Sequence, residues 1–487
     1  MKLITSKLLK RVARTTLVPT ALSLLLSACM VGPNFERPAA PATRHYDAHA
    51  EQALSGANTS ADVQHVDIGK KMQGDWWLAL GSPKLDGVMQ RAIAGNLDLE
   101  AADATIAQAD QAVAAAQGAL RPQVDMGAQG GRERANVGTE NVTTHFYAVG
   151  PQVSFDLDIF GGNKRRVEES TALAELQRHK FDAAYLTVTG NVANEAIELA
   201  SARAQIDAVN VLIADDQKNL QLVTTAHRVG SATQVDVALA NTQLAQDQTL
   251  LPPLVQRRDV ARHALSILVG KSPGDWTAPD FNLSDFALPQ AMPVSLPSEL
   301  VRNRPDILEA EAELHASSAA IGVATADMYP HLTLSSALSG SGVGTLWSVA
   351  GALAGPLYAG GTLKANQRAS VDAYKASLAN YRQTVIQSFG QVADVLQAVD
   401  HDAEEYAAQE RALSAADTSL RLNRQGYEVG ETGVLQVLDA QRSYQRALIG
   451  QIQANTARYL DTVQLSIALG GNASGVSQQR VAYGDKP

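Results

Sequence analysis

The sequence predicts a mainly α-helical protein with a small β part, and three observations support this fold class. One unit is used twice along the 487 residues. The long segments of this unit carry an apolar residue at every seventh position, which is typical of packed helices. Between these segments the pattern changes to alternation of apolar and polar residues, which is typical of strands.

The duplication is visible as matching segments separated by 200 residues. The segment "HRVGSATQVDVALANTQLAQ" at 227–246 aligns with "YEVGETGVLQVLDAQRSYQR" at 427–446. "ILVG" at 267–270 aligns with "IALG" at 467–470 at the same offset. Each copy is predicted to contain a helix, two strands and two further helices, in that order.

The predicted helices are long. Every seventh residue from Val371 to Tyr427 is apolar, and the first copy repeats this from Tyr185 to Leu220. A strict seven-residue period keeps one seam on a partner and imposes a left-handed supercoil, so the stripes alone favour a structural coiled-coil rod. A helix over 362–427 would run roughly 100 Å at ~1.5 Å per residue. In the second copy, the helices predicted over 297–327 and 434–469 would each be about half as long. The first copy repeats this relation, with short helices over 83–118 and 234–269 and a long helix over 163–228.

The segments between the helices predict two strands in each copy. Val149, Val153 and Phe155 share one face of "VGPQVSFDLDIFGG", and the polar Gln152 and Ser154 share the other. This alternation fits both a transmembrane barrel with a wet lumen and a soluble sheet that is half-buried on helices. Four strands per chain are too few to close a barrel, so strands that enter a membrane require several chains to share one barrel.

The only cysteine, Cys29, directly follows a short apolar run and a basic N-terminal region. The run is too short to span a bilayer as a helix. Leu26-Ser27-Ala28-Cys29 resembles a bacterial lipobox, in which the leader is removed and the cysteine thiol receives lipid. The alternative is an ordinary secretory leader that is cut near a cysteine. We expect a covalent lipid on Cys29, as a diacylglycerol and an N-acyl chain such as palmitate, and no other cofactor or metal.

These patterns predict six segments along the chain. They are a signal peptide at 1–28, a lipidated N-terminal segment at 29–82, the first repeat at 83–282, a linker at 283–296, the second repeat at 297–471 and a tail at 472–487.

Charge and motifs exclude several classes of function. Removal of the leader leaves 35 basic and 50 acidic residues, which changes the formal charge from −10 to −15. Such an acidic chain argues against nucleic acid as a partner. The histidines form no HExxH arrangement, and no phosphate-binding GxxxxGK[ST] loop occurs, so we predict that the protein is not an enzyme.

Several motifs together resemble a known family. They are the lipobox with "CMVGPNFERP", "DWWLALGSPKLDGVMQRAIAGNLDLEAA" from Asp75, the paired Val-Gly helix turns and "VLDAQRSYQRA". The chain is similar to the TolC- and OprM-like outer-membrane factors of Gram-negative tripartite export systems. Within them it looks most like the lipoprotein channels of the NodT type, which serve resistance-nodulation-division drug pumps. The resemblance extends from residue 29 to about 471.

The resemblance implies a homotrimer, in which three chains close one twelve-stranded transmembrane β-barrel and their helices form a periplasmic α-helical barrel. It implies a lipid-anchored location in the outer membrane and a passive exit duct for drugs or other small toxic compounds. A periplasmic adaptor would dock on the helix turns and connect the duct to an inner-membrane transporter that supplies the energy.

The resemblance also implies roles for residues near the helix turns. Leu435 and Asp439 match a pore gate, and Tyr427 and Asp236 match contacts that lock it. Two of them also have a structural alternative, namely a solvated helix charge or a satisfied cap for Asp439 and a pure packing role for Tyr427. Some relatives carry a basic residue at the position of Thr432 and a second acidic residue at the position of Gln436. The sequence therefore does not determine which bonds lock the gate.

The adaptor-contact tips implied by the resemblance are the two Val-Gly pairs, Val229-Gly230 and Val429-Gly430. Reversal of the helix alone would also require these glycines. Two alternatives to a drug-efflux channel stay open from the sequence. One is the channel of a type I secretion or heavy-metal export system, and the other is a periplasmic adaptor lipoprotein. The transported substrates, the cognate adaptor and pump and the resting pore radius are not determined by the sequence.

Overall fold

The computed structural model describes residues 30–43, 45–46, 64–70, 75–137, 140–341, 344–471 and 476. The predicted signal peptide, Cys29 and nearly all of the predicted tail therefore lie outside the described residues. The helices, in chain order, are α1 Pro83–Gly95, α2 Leu97–Gly118, α3 Gly162–Arg228, α4 Gln234–Gln248, α5 Leu251–Leu268, α6 Pro297–Asn303, α7 Pro305–Ala326, α8 Thr362–Glu428 and α9 Val434–Ala468. The strands are β1 His65–Ile68, β2 Gln123–Val137, β3 Glu140–Asp156, β4 Ala291–Val294, β5 His331–Ser341 and β6 Gly344–Ala354. Among the described residues, every helix is too short or too polar to serve as a membrane-spanning helix.

The chain divides into two compact units, and each unit combines parts of both sequence repeats. The first unit contains the described part of 1–38 together with Ala104–Arg178 and Glu309–Gln383. It holds the strands β2, β3, β5 and β6. The second unit contains the described parts of 39–103 and 384–487 together with His179–Leu308. It holds most of the long helices and the short β1–β4 pair.

The first unit contains an antiparallel sheet of the order β2-β3-β5-β6. β2 pairs with β3 and β5 pairs with β6 as two hairpins, and β3 joins β5 across the two repeats. Gly150 makes this central pairing possible, because a Cβ there would lie 1.8 Å from the Leu338 carbonyl oxygen. The two predicted strands per copy are therefore present, and they form one four-stranded sheet.

The long helices α3 and α8 have 67 residues each. Their seven-residue seams pack as expected, since Val192 and Val392 are both fully buried. Three segments expected to be continuous helices are interrupted. Asn96 separates α1 from α2 and accepts hydrogen bonds from the backbone N–H groups of Asp98 and Leu99. The other breaks precede Pro252 and Pro305, because proline lacks the N–H that a helix interior requires.

The second unit has a hydrophobic core that the short β1–β4 pair helps to close. The core cluster includes Met292, Val294, Leu300, Val392 and Leu465, which come from β4, α6, α8 and α9. β1 and β4 are parallel, with His65 opposite Ala291. The sequence did not predict this pair, because a four-residue strand carries too little alternation to be recognised.

A buried arginine joins the end of α6 to α7, α8 and α9. Arg304 donates from Nη1 to the Ala468 carbonyl oxygen at 2.9 Å, and from Nε and Nη2 to the carboxylate of Asp306, each at 2.9 Å. The guanidinium also donates to Gln391 on α8. Because Arg304 is 7% exposed, this charge is tolerated only through its hydrogen bonds.

Candidate functional site at the helix turns

Two helix reversals have nearly the same backbone geometry. α3 passes into α4 through Gly230, and α8 passes into α9 through Gly430, both with φ of +80°. In each turn a backbone N–H closes back on the helix, from Ser231 to Ala226 at 2.9 Å and from Glu431 to Gly426 at 2.8 Å. No atom lies within 4 Å of a Cβ built on either central glycine, so the positive φ alone requires glycine.

The apolar side chains next to these glycines point into solvent. Val229 is 74% exposed and Val429 is 72% exposed. Valine side chains are usually buried, so each of the two equivalent turns presents an unusual exposed apolar side chain. These residues belong to the Val229-Gly230 and Val429-Gly430 pairs that the sequence predicts as adaptor contacts, and that role stays a prediction.

The two turns differ in how the following helix begins. Thr233 and Asp236 form a reciprocal capping box on α4, in which the Asp236 carboxylate accepts from the Thr233 backbone N–H and hydroxyl, both at 2.8 Å. These two hydrogen bonds hold the pKa of Asp236 below its usual value. Gly433, the residue just before α9, provides no side-chain cap for that helix. Thr432 instead donates to the Asn423 carbonyl oxygen at 3.0 Å.

The predicted locking pair is not joined within the described chain. Tyr427 is half-buried at the end of α8. Among the described residues, no hydrogen bond connects its hydroxyl to Asp236, whose carboxylate is bound to Thr233. The structure therefore gives Asp236 a capping role, and the locking role of both residues stays a prediction.

The predicted gate residues lie on an open face of α9. Leu435 is 54% exposed and Asp439, one helical turn later, is also exposed. Among the described residues, the Asp439 carboxylate has no ion-pair or hydrogen-bond partner. Gln441, two residues further on, is buried on the opposite side of the helix. One short segment of α9 thus presents a free carboxylate on one face and a packed amide on the other.

A buried pair of carboxylates lies beside Gln441. Asp216 on α3 is 1% exposed and Asp247 on α4 is 4% exposed, and the two carboxylates are near neighbours. Gln441 donates to Asp216 Oδ1 at 2.7 Å, and Gln243 donates to Asp247 Oδ2 at 2.7 Å. Asp216 Oδ2 has no hydrogen-bond partner among the described residues. The acidic pair therefore lies where α3, α4 and α9 meet, and glutamine side chains supply its hydrogen-bond donors.

The environment of this pair favours the neutral form of Asp216. Burial raises the pKa of Asp216 to about 8, and the adjacent carboxylate of Asp247 adds to the effect. Among the described residues, the nearby cations bind other groups. Arg424 on α8 and Lys218 pair with Asp215, and Arg442 on α9 donates to Gln243. The neutral form of Asp216 is therefore favoured near neutral pH.

A second acidic pair lies farther from the turns, on α8 and α9. Burial raises the pKa of Asp402 to about 7, with additional contributions from the nearby carboxylates of Asp461 and Glu405. Arg458 opposes this shift and also stacks over the ring of Tyr406 at 4.7 Å. Neither pair is predicted from the sequence. For Asp216 a signal existed, because it replaces the apolar residue expected between Val209 and Val223 in a seven-residue stripe.

Neither acidic pair resembles a metal site. Among the described residues, no cluster contains three or more histidine, cysteine, aspartate or glutamate side chains close enough to share a metal ion.

Comparisons with known proteins identify the family. The model of the outer membrane efflux protein family matches residues 88–271 and 296–471, which together cover most of the chain. The chain belongs to the outer membrane efflux protein family. The first matched range lies within the predicted first repeat, and the second begins one residue before the predicted second repeat and ends with it.

Individual relatives and solved structures agree with the assignment of this chain to the outer membrane efflux protein family. The pyoverdine export outer membrane protein OpmQ of Pseudomonas aeruginosa is 29% identical over 439 residues, which cover 86% of this chain and 92% of the relative. Nodulation protein T of Rhizobium leguminosarum bv. trifolii is 27% identical, with coverage of 94% and 97%. The solved outer-membrane channel OprN has 25% identity and a TM-score of 0.83, with coverage of 91% and 99%.

The resemblance inferred from the motifs is therefore confirmed, as is the predicted fold class of a mainly helical protein with a small β part. This outer membrane efflux protein resides in the outer membrane and acts in export. Its family is one of channel and transport proteins.

Proposed function

We propose that three copies of this chain form a passive outer-membrane exit duct, which receives cargo from an inner-membrane resistance-nodulation-division transporter through a periplasmic adaptor. The observation that carries this proposal is the four-stranded sheet with two open edges. Within the described chain β2 and β6 each have a neighbour on one side only. Unpaired backbone groups in lipid cost several kcal/mol each, so a membrane-embedded sheet of this kind needs further copies.

The surface of the sheet supports a location in lipid. All described residues of β6 are exposed. Its apolar face presents Trp347, Val349 and Leu353, which are 78%, 71% and 70% exposed. The opposite face carries the small residues Ser348, Ala350 and Ala352. A strand with one apolar and one small or polar face suits contact with lipid outside and water inside. Three such sheets supply the twelve strands of one barrel.

The predicted lipid on Cys29 belongs to the same proposal. Attachment of a diacylglycerol and an N-acyl chain would anchor the chain firmly, since each buried methylene contributes about 0.8 kcal/mol. Mass spectrometry of the N-terminal peptide from membranes tests this step, with Cys29→Ser as the unmodified control. A free thiol on the mature protein would refute the anchor without affecting the channel.

The experiment that tests the duct combines assembly with conductance. Detergent-purified protein is expected to have the mass of three chains and to form ion-conducting pores in planar bilayers. A stable monomer without conductance would overturn the proposal. Cross-linking from Val229→Cys and Val429→Cys to the adaptor tests the docking surface, with Leu222→Cys on the exposed flank of α3 as the matched control.

The cargo class is drugs or other small toxic compounds. The relatives with pyoverdine-export and nodulation names support a duct whose cargo is selected elsewhere. A type I secretion or heavy-metal export partner is the alternative. Deletion of the gene, followed by susceptibility tests against drugs and metal salts, distinguishes these systems. The family assignment favours the channel over a periplasmic adaptor lipoprotein.

A further inference from the structure

We propose that Arg165 is a positioning residue, which fixes the point where the N-terminal lipid anchor leaves the protein. The proposal rests on the proposed lipidation of Cys29. It concerns a different part of the molecule from the helix turns, namely the N-terminal strap, defined as residues 30–38, and its contact with the beginning of α3.

Arg165 is a fully charged side chain in a buried place. It lies in the first turn of α3 and is 1% exposed. Its Nε donates to the Val31 carbonyl oxygen at 3.1 Å, and its Nη2 donates to Asn34 Oδ1 at 2.9 Å and to the Gly32 carbonyl oxygen at 3.2 Å. Nη1 pairs with Glu168 at 2.6 Å. A buried guanidinium requires such partners, and here three of them belong to the strap.

A glycine in α7 and a glycine in the strap leave room for Arg165 between these two segments. A Cβ on Gly322 of α7 would lie 2.7 Å from the stem of Arg165, and a Cβ on Gly32 would lie 2.5 Å from Gly322 Cα. Gly32 also has a φ of +90°, which other residues rarely adopt. The strap, the arginine and α7 therefore meet at a place shaped for this side chain.

Three further contacts extend the strap along the same unit. The Val31 backbone N–H donates to the Phe160 carbonyl oxygen at 3.1 Å. The ring of Phe35 stacks on His315 with centroids 4.4 Å apart. Arg37 pairs with Glu311 at 2.5 Å. Arg165 contacts the residues nearest to Cys29, whereas Phe35 and Arg37 hold the distal part of the strap.

The contacts of Arg165 with the strap, called the clamp below, would limit where residue 29 can lie. Met30 lies against Gly161, in the turn that joins β3 to α3, because a Cβ there would be 2.6 Å from Met30 Cγ. Because Cys29 directly precedes Met30 in the sequence, we expect its lipid to emerge beside this strand–helix junction. Without the contacts of Arg165, five extended residues from Met30 to Asn34, up to the retained contact of Phe35, would reach about 17 Å. That reach is about half of the ~30 Å thickness of the hydrocarbon core. Arg165 would thus keep the anchor near the ends of the strands.

The adjacent Arg166 provides a matched control. It is an exposed arginine on the same turn of α3, and it pairs with Asp327 at 3.1 Å and with Asn163 at 2.9 Å, not with the strap. We compare Arg165→Gln, Arg165→Lys and Arg166→Gln in the full-length protein isolated from outer membranes. Because the chain has one cysteine, and lipid blocks its thiol, a nitroxide on Pro33→Cys reports the motion of the part of the strap that Arg165 contacts.

The expected result is a label that is immobilised in the parent and in Arg166→Gln, but mobile in Arg165→Gln, with partial recovery in Arg165→Lys. A label that stays immobile in Arg165→Gln would overturn the clamp. The second readout is the inserted fraction of each variant, measured with Cys29 and with Cys29→Ser. The loss from Arg165→Gln is expected to be about threefold with lipid and absent without it.

Two outcomes would contradict the positioning role. An equal loss in the lipidated and Cys29→Ser backgrounds would show that Arg165 serves folding alone. An unmodified Cys29 in the parent, detected by mass spectrometry of its N-terminal peptide, would overturn both the lipidation and the positioning of an anchor. In that case the spin label is read in the Cys29→Ser background, where it still reports whether Arg165 holds the strap, and conductance still reports the channel, so the failures are distinguishable.

Discussion

Gln441 Nε2 lies 2.7 Å from Asp216 Oδ1, and this hydrogen bond joins α9 to the acidic pair between α3 and α4. The other amide atom, Gln441 Oε1, accepts from Asn219 at 2.7 Å. Both contacts lie two residues from the exposed carboxylate of Asp439 on the same helix. A change in the charge of the buried pair therefore acts on the segment that presents the predicted gate.

The first prediction concerns the pH dependence of this acidic pair. The pKa of Asp216 is raised from 3.8 to about 8, so the folded protein holds a proton that the unfolded chain releases. The stabilising contribution is complete below pH 3.8 and is lost as the pH rises to about 8. The loss is of the order of 1 kcal/mol per pH unit within that window. Asp216→Asn keeps a neutral hydrogen-bonding group, so its stability is expected to vary less with pH.

Thermal unfolding of the detergent-purified protein at pH 5 to 9 measures this difference. The matched control is Asp207→Asn, because Asp207 is an exposed acid on the same helix. Parallel pH profiles for the parent and Asp216→Asn would show that the folded protein does not retain a proton on Asp216 in this range.

The second prediction concerns the predicted gate. Asp439→Ala is expected to increase the conductance of the resting pore, because three converging carboxylates would otherwise bind water and cations at the narrowest point. Asp439→Asn removes the charge while conserving shape, and Glu410→Ala removes an exposed acid from α8 as a control. Single-channel recording in planar bilayers measures the effect. Identical conductance and cation selectivity in all variants would exclude Asp439 from the gate.

The third prediction concerns the cap of α4. Thr233→Ala removes one half of the capping box and is expected to accelerate hydrogen exchange in the first turn of α4 by about fivefold. The reference is Thr432→Ala in the equivalent turn, because Thr432 does not cap the following helix. Equal acceleration at both turns would indicate that exposure of the tip, not the capping box, determines exchange.

The fourth prediction concerns Arg304. Replacement by alanine leaves the Ala468 carbonyl and the Asp306 carboxylate without their buried donor, which is expected to destabilise the fold by about 3 kcal/mol. Arg302→Ala, two residues earlier on the exposed side of α6, is expected to change stability by less than about 0.5 kcal/mol. Thermal unfolding compares the two variants. A similar melting temperature for both would contradict the stabilising role of Arg304.

The elements that the sequence predicts well are those with local patterns. The seams of α3 and α8 repeat every seven residues, so the extent of each helix and the face that it buries follow from this spacing. The pairing of β1 with β4 depends on four residues that meet across more than 200 positions of the chain, and no local signal records it. Asp216 and Asp247 are acidic residues on helices, and only the packing of α3, α4 and α9 shows that they share a site.

The predicted roles of Asp439, Leu435, Tyr427 and Asp236 depend on an assembled gate, and a single chain fixes only part of that arrangement. The structure places Asp439 and Leu435 on an open face of α9, which is compatible with a lining role. It binds Asp236 to Thr233, which is a purely local use of the side chain. The sequence contains the capping motif, because threonine followed three residues later by an acid is a common helix start.

The acidic pairs divide an otherwise repeated scaffold into unlike halves. At the 200-residue offset of the two turns, Asp216 and Asp247 correspond to Ala416 and Ala447, whereas Asp402 and Asp461 correspond to Ala202 and Ala261. Asp216 lies about 18 Å before the end of α3, and Asp402 about 39 Å before the end of α8, at ~1.5 Å per residue. High pH would therefore weaken the packing of α3 close to its C-terminal turn, and the packing of α8 at about twice that distance from its own turn. The two repeats therefore share one backbone plan, but each would respond to alkali at its own level along the helices.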